Sequence, residues 1–106
     1  MIHCSCLVQE GQSADRGKDA IQSAVTDFID QAFGQPADIK WTTVAPGNGF
    51  TAGKPSTSSI VSIASPEPLS HQRRESLLRE FSSLWTSRTG DSTDEIVAVI
   101  SDPQSN

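Results

Sequence analysis

Two stretches of this chain carry apolar residues at helical spacing, and short alternating runs bracket each of them. Ile21, Ala24, Val25, Phe28, Ile29, Ala32 and Phe33 recur every three or four residues and fall on one stripe of a helix. Leu77, Leu78, Phe81, Leu84 and Trp85 form a second such stripe. Ahead of the first, Ile2–Val8 alternates, with Ile2, Cys4, Cys6 and Val8 on one side and His3, Ser5 and Leu7 on the other. Behind it, Ile39–Val44 (IKWTTV) is rich in β-branched and aromatic residues. Ile60–Ala64 (IVSIA) and Glu95–Ile100 (EIVAVI) bracket the second stripe in the same way. The order is β-α-β, a loop, then β-α-β.

This order predicts a pseudo-twofold α/β (α+β) chain, one domain over residues 1–106, with halves at about 1–44 and 59–101 joined by the loop 45–58. Local punctuation agrees. Ser13 is an expected N-cap with Asp15 in the first turn, and Gly34 followed by Pro36 stops the helix. Pro66 and Pro68 end the third strand, and Ser70 can cap the second helix. Right-handed crossovers make each β-α-β half parallel and lay both helices on one face of a four-stranded mixed sheet. The other face needs a cover, and the expected cover is another copy of the chain.

A formal charge of -5 argues against a nucleic-acid partner reached through a basic surface, since no basic cluster exceeds the pair Arg73–Arg74. No apolar run reaches the roughly 18 residues of a membrane span. Cys4 and Cys6 are the only cysteines, and on one strand they share a face about 7 Å apart, too far and too parallel to bridge. The expectation is a reducing, cytoplasmic setting. A metal site of His3, Cys4 and Cys6 is not expected, because His3 points away from the two thiols, and burial is the ordinary fate of cysteine.

A strand opening at residue 1, the helix "SADRGKDAIQSAVTDFI", the stretch "IKWTTVAPGNGFTAGKPSTSSIVSIAS" and a second helix from near Ser70 together resemble the tautomerase superfamily. The similarity covers nearly the whole chain, and the branch containing cis-3-chloroacrylic acid dehalogenase looks nearest. The resemblance implies a homotrimer around a barrel-like centre, with a pocket at each amino terminus and no cofactor. In that family an amino-terminal proline acts as base or acid on small keto acids, enols or unsaturated carboxylates, and nearby cations hold the carboxylate. Here Met1 occupies the proline position, and the bulky Ile2 is expected to prevent its removal. A histidine of the branch falls at about Ile29 and two arginines near Glu67 and Leu69, while its tyrosine has no counterpart, as the chain contains none. Hydrolytic dehalogenation is therefore not expected.

The candidate catalytic group is the Met1 α-amine, a primary amine able to act as base or to form an imine. Candidate substrate-binding residues are Lys40 on the second strand, Asn48 and Phe50 in the glycine-rich loop, and Lys54 in its "AGKP" turn, where plain turn chemistry is the competing reading. For Arg73 and Arg74 a solvated helix face or a salt bridge is the commoner fate. His3 is read as core or interface packing, His71 as an exposed helix-start residue, and Trp41 and Trp85 as core or interface. Two functions remain open: a tautomerase- or isomerase-like enzyme acting on a small carbonyl or enol compound, or an inactive protein of that fold binding a ligand or partner through the old pocket.

Overall fold

The computed structural model describes residues 1–103. Strand β1 (Ile2–Gln9) leads through a short helix α1 (Ser13–Arg16) into α2 (Lys18–Phe33) and back along β2 (Ala37–Val44). The connection that follows contains two short strands, β3 (Phe50–Thr51) and β4 (Lys54–Pro55). Then come β5 (Ser59–Ala64), α3 (His71–Thr89), a 3-10 turn (Thr93–Glu95) and β6 (Ile96–Ser101). The main sheet runs β2-β1-β5-β6, with β1 parallel to β2, β5 parallel to β6, and β1 antiparallel to β5. The expected mixed four-stranded sheet of tandem β-α-β units is the observed one.

Strand alternation decides which face the helices cover. Ile2, Cys4, Cys6 and Val8 of β1, Val61 and Ile63 of β5, and Ile96 and Ile100 of β6 are buried. They form one cluster with Ile21, Val25, Phe28 and Ile29 of α2 and Leu77, Phe81 and Trp85 of α3. Phe81 is its aromatic hinge, edge-on to Phe28 with ring centroids 5.3 Å apart and 6.0 Å from Trp85. Trp41 of β2 stacks on Trp85 at 6.4 Å and donates its indole N–H to Gln22 Oε1. Cys4 and Cys6 lie inside this core with sulfurs 3.9 Å apart. Contact with Cys4 and burial push the Cys6 thiol well above its ordinary range, so it stays protonated and packs as a small apolar group.

Helix ends follow the sequence expectation at Ser70 and Gly34. Ser70 accepts the Arg73 N–H at 3.1 Å, a cap that stabilises α3 by about 1 kcal/mol. Gly34 and Gly90 close α2 and α3 in the left-handed conformation. The first helix departs from expectation. Ser13 is already helical and caps nothing, and the helix breaks at Gly17. Asp15 spends its carboxylate on the Gly11 N–H at 2.8 Å and on Lys18, which together hold it below the usual carboxylate range. The sequence boundaries also move: β2 begins at Ala37 instead of Ile39, because Ile2 through Cys4 of β1 pair with Ala37 through Ile39. No helix among the described residues is long and apolar enough to cross a membrane.

Candidate functional site

The face away from the helices is open, and strand register arranges its side chains in rows. One row runs Thr42, Leu7, Ile60, Val97 across β2, β1, β5 and β6. The next runs Lys40, Ser5, Ser62, Val99. Beyond it, Asp38 pairs with His3 and Ala64 with Ser101. The face thus grades from apolar, where Ile60, Val97 and Val99 stand exposed, to polar at the Met1 end. A shallow cleft of about 480 Å³ occupies the polar part, lined by His3, Ser5, Asp38, Lys40, Ser62 and Ser101 among others.

Met1 stands just ahead of β1 and is 69% exposed. Its ammonium donates to Gln35 Oε1 at 3.2 Å, and the Ile2 N–H donates to the Pro36 carbonyl at 2.8 Å, so the turn after α2 anchors the start of the strand. Lys40 faces the cleft through its pairing with Ser5. Asn48, Phe50 and Lys54 lie elsewhere. They belong to the connection that follows β2, and β2 ends where β1 ends, because the two strands are parallel. Gln9, at that end of β1, donates to the Ser58 carbonyl, and its side chain lies against Gly49 where a Cβ would intrude. Eight residues of strand at ~3.3 Å each put the loop about 26 Å from Met1 within one chain. One copy therefore holds Met1 at one end of the sheet and the loop candidates at the other, with Lys40, opposite Ser5, about midway between them.

The loop is more ordered than its composition suggests. Its middle is a two-residue hairpin turn, with Ala52 at φ 52° and Gly53 at φ 76°, and β3 pairs Phe50 with Pro55. This turn leaves Phe50 exposed. Glu95 accepts from the hydroxyls of Thr57 and Ser58, tying the end of the loop to the turn before β6.

Sequence reasoning passed over Asp38, whose carboxylate Oδ2 lies 3.3 Å from His3 Nδ1. Its neighbours Pro36 and Ala37 read as loop, so only the parallel pairing with β1 reveals the contact. His3, expected in the core or at an interface, is not in the core of the single chain: its side chain is 75% exposed. Arg74 is occupied. It pairs with Asp102 and donates to the Leu69 carbonyl, while the Leu69 N–H donates to the same Asp102 carboxylate. These two partners hold Asp102 below the ordinary carboxylate range, Arg74 contributing most. Arg73 lies against Gln31 and Glu80 in a groove between α2 and α3, on the other side of the sheet from the cleft.

Solved structures of known proteins superpose on this arrangement over nearly its full length. Native Ps01740 matches with a TM-score of 0.84 and 20% identity, over 95% of this chain and 93% of its own. A fused 4-OT wild type symmetric trimer matches with a TM-score of 0.81 and 15% identity, over 95% and 85%. N1, a member of the cis-3-chloroacrylic acid dehalogenase family, matches with a TM-score of 0.79 and 12% identity, over 95% and 74%. The chain shares its fold with these structures. No family model matches the sequence, and no curated protein matches it. Within this fold, the positions that the sequence resemblance aligns with a histidine and two arginines do other work here. Ile29 is fully buried in the core, the Glu67 carbonyl accepts from Ser65, and Leu69 binds Asp102.

Proposed function

We propose that this chain is a tautomerase- or isomerase-like enzyme for a small carbonyl or enol compound, with the Met1 α-amine as its acid–base group. The observation that carries this reading is the placement of that amine. It stands exposed at the head of the strand that carries His3 and Ser5 of the polar cleft, and among the described residues its hydrogen-bond partner is the neutral amide oxygen of Gln35. A primary amine there can exchange a proton with substrate carbon or oxygen without first breaking an ion pair. Lys40 is the cation of the cleft, and its single charge suits a substrate less anionic than a dicarboxylate. 2-Hydroxymuconate, a dicarboxylate, is accordingly a poor substrate; phenylenolpyruvate, a monocarboxylate, is also turned over weakly, because a primary amine stands in place of the family's proline, and hydrolytic dehalogenation is absent.

The assembly belongs to the proposal. The open sheet face carries Leu7, Ile60, Val97 and Val99, and burying them against other copies makes a homotrimer, the state named for the fused 4-OT structures of the same fold. Asn48, Phe50 and Lys54 of a neighbouring copy, and not the chain's own, then flank Met1. The one-domain organisation over residues 1–106 goes with this reading, as does a reducing, cytoplasmic setting suited to two free buried thiols. No nucleic acid, membrane or cofactor enters it.

A ligand-binding protein without catalysis is the second reading, favoured by the apolar Ile29 and Leu69 where the branch carries ionisable groups. A panel assay over small enols and ketones separates the two, using wild type, α-amine-blocked protein and a variant exposing proline at the amino terminus. Turnover that disappears on blocking the amine is the expected result. Turnover that survives blocking removes Met1 from the mechanism, and turnover seen only with the proline variant supports the ligand-binding reading.

A further inference from the structure

Gln35 meets the Met1 amine with only half of its amide. Gly34 ends α2 in the left-handed conformation with its N–H on the Asp30 carbonyl, and the Pro36 carbonyl takes the Ile2 N–H at 2.8 Å. The backbone of Gln35 is thus fixed on both sides, to the end of a helix and to the head of β1. Its side chain reaches Met1, where Oε1 accepts from the ammonium at 3.2 Å. An ammonium has donors only, so the amide turns its oxygen toward it and holds Nε2 to the side of that bond. Among the described residues no acceptor takes the two Nε2–H donors.

We infer that Gln35 is a second catalytic residue of the proposed site: Oε1 aims the Met1 amine, and Nε2 donates to the carbonyl or enolate oxygen of the substrate. The distances close. Oε1 and Nε2 of one amide stand about 2.3 Å apart, and the α-carbon and oxygen of a ketone about 2.4 Å. With the amine 3.2 Å from Oε1, an α-carbon about 3 Å from the amine can hold its carbonyl oxygen about 2.9 Å from Nε2. Proton transfer then balances without a further group. The neutral amine takes the α-proton, the C–H electron pair becomes a C=C bond, and the carbonyl π pair moves onto oxygen. The Nε2–H bond stabilises the charge gathered there. Return of the proton from the new ammonium to carbon gives exchange, and its delivery to oxygen gives the enol. The bond to Oε1 also restrains rotation about the Cα–N bond of Met1, which sets the direction of the amine lone pair. This role rests on Met1 as the acid–base group, and it needs neither a carboxylate on the substrate nor the sheet face that other copies would cover.

Two readouts test it, one of them independent of turnover. In ¹⁵N-labelled protein in its natural assembly, the Gln35 side-chain amide is assigned by its absence from Gln35→Met, a variant of similar length without the amide. 4-Nitrophenolate, whose oxygen stands in for an enolate, should shift the Gln35 Nε2–H signals saturably and leave those of Gln31, exposed on α2, unmoved. The second readout is α-proton exchange of cyclohexanone in D2O. Gln35→Met should slow it about a hundredfold or more, the effect of removing one donor to a developing oxyanion. Its circular dichroism should stay that of wild type, since Gln35 lies outside the core. Exchange that survives blocking of the α-amine overturns Met1 as the base. Exchange that is lost on blocking but unchanged in Gln35→Met overturns Gln35 alone. A Gln35 amide that does not respond to the phenolate overturns its donor role whatever the exchange does.

Discussion

Ile60→Asp tests the use of the open sheet face. Ile60 sits between Leu7 and Val97 in the apolar row, and 42% of it remains exposed in the single chain. Burying that remainder is worth about 1 kcal/mol per copy, from the ~1.5–3 kcal/mol of a whole aliphatic side chain. An aspartate in the same place loses that gain and adds an unpaired carboxylate, for a total of about 3 kcal/mol per copy after relaxation. Over three copies the loss is about 9 kcal/mol, or roughly six orders of magnitude in a trimerisation constant. That constant scales as the inverse square of concentration, so the midpoint of assembly should rise about a thousandfold. Sedimentation equilibrium at micromolar protein should show wild type at three times the 11.3 kDa chain mass and the variant near the single-chain mass. The variant's circular dichroism should stay that of wild type, because Ile60 takes no part in the helix-facing core. Wild type sedimenting as a single chain, or a variant as fully assembled as wild type, would refute the reasoning.

Ala52→Gly should stabilise the β3–β4 turn by about 0.5–1 kcal/mol, because alanine holds a left-handed φ of 52° that glycine adopts without strain; chemical denaturation reads the gain. Asp102 supplies a pH prediction. Its folded pKa is depressed by Arg74 and the Leu69 N–H, so its contribution is present above the unfolded carboxylate pKa and is lost as pH falls through the lower folded value. Asp102→Asn should lower the melting temperature at pH 7 and remove part of the acid-side decline below about pH 4. A decline of unchanged shape in that variant rules out the Arg74–Asp102 contact as one of its sources.

Much of the fold could be read from residues whose signal is local. A helical stripe needs only its own spacing, and Leu77, Phe81 and Trp85 went to the core as their spacing required. Gly34, Ser70 and Gly90 ended or began helices through contacts within a few residues. The alternation of β1 likewise assigned Ile2, Cys4, Cys6 and Val8 to the buried face. The end of the sheet where the cleft lies was less legible. Lys40 could be placed on a strand, but Asp38 followed a proline and read as connection until pairing with His3 drew it into β2. Local cues also misjudged α1, where Asp15 chose the Gly11 N–H and left Ser13 no capping role.

The sequence by itself determined the element order, the two buried helical stripes and the uncovered sheet face, because each follows from periodicity along a single segment. Tertiary structure alone decided the register that joins His3 to Asp38, the stacking of Trp41 on Trp85, and the distance between Met1 and the loop of Asn48, Phe50 and Lys54. Those facts depend on which residues of separate strands come to lie opposite one another. Register is fixed by the fit of whole faces across the sheet, so no short segment contains it.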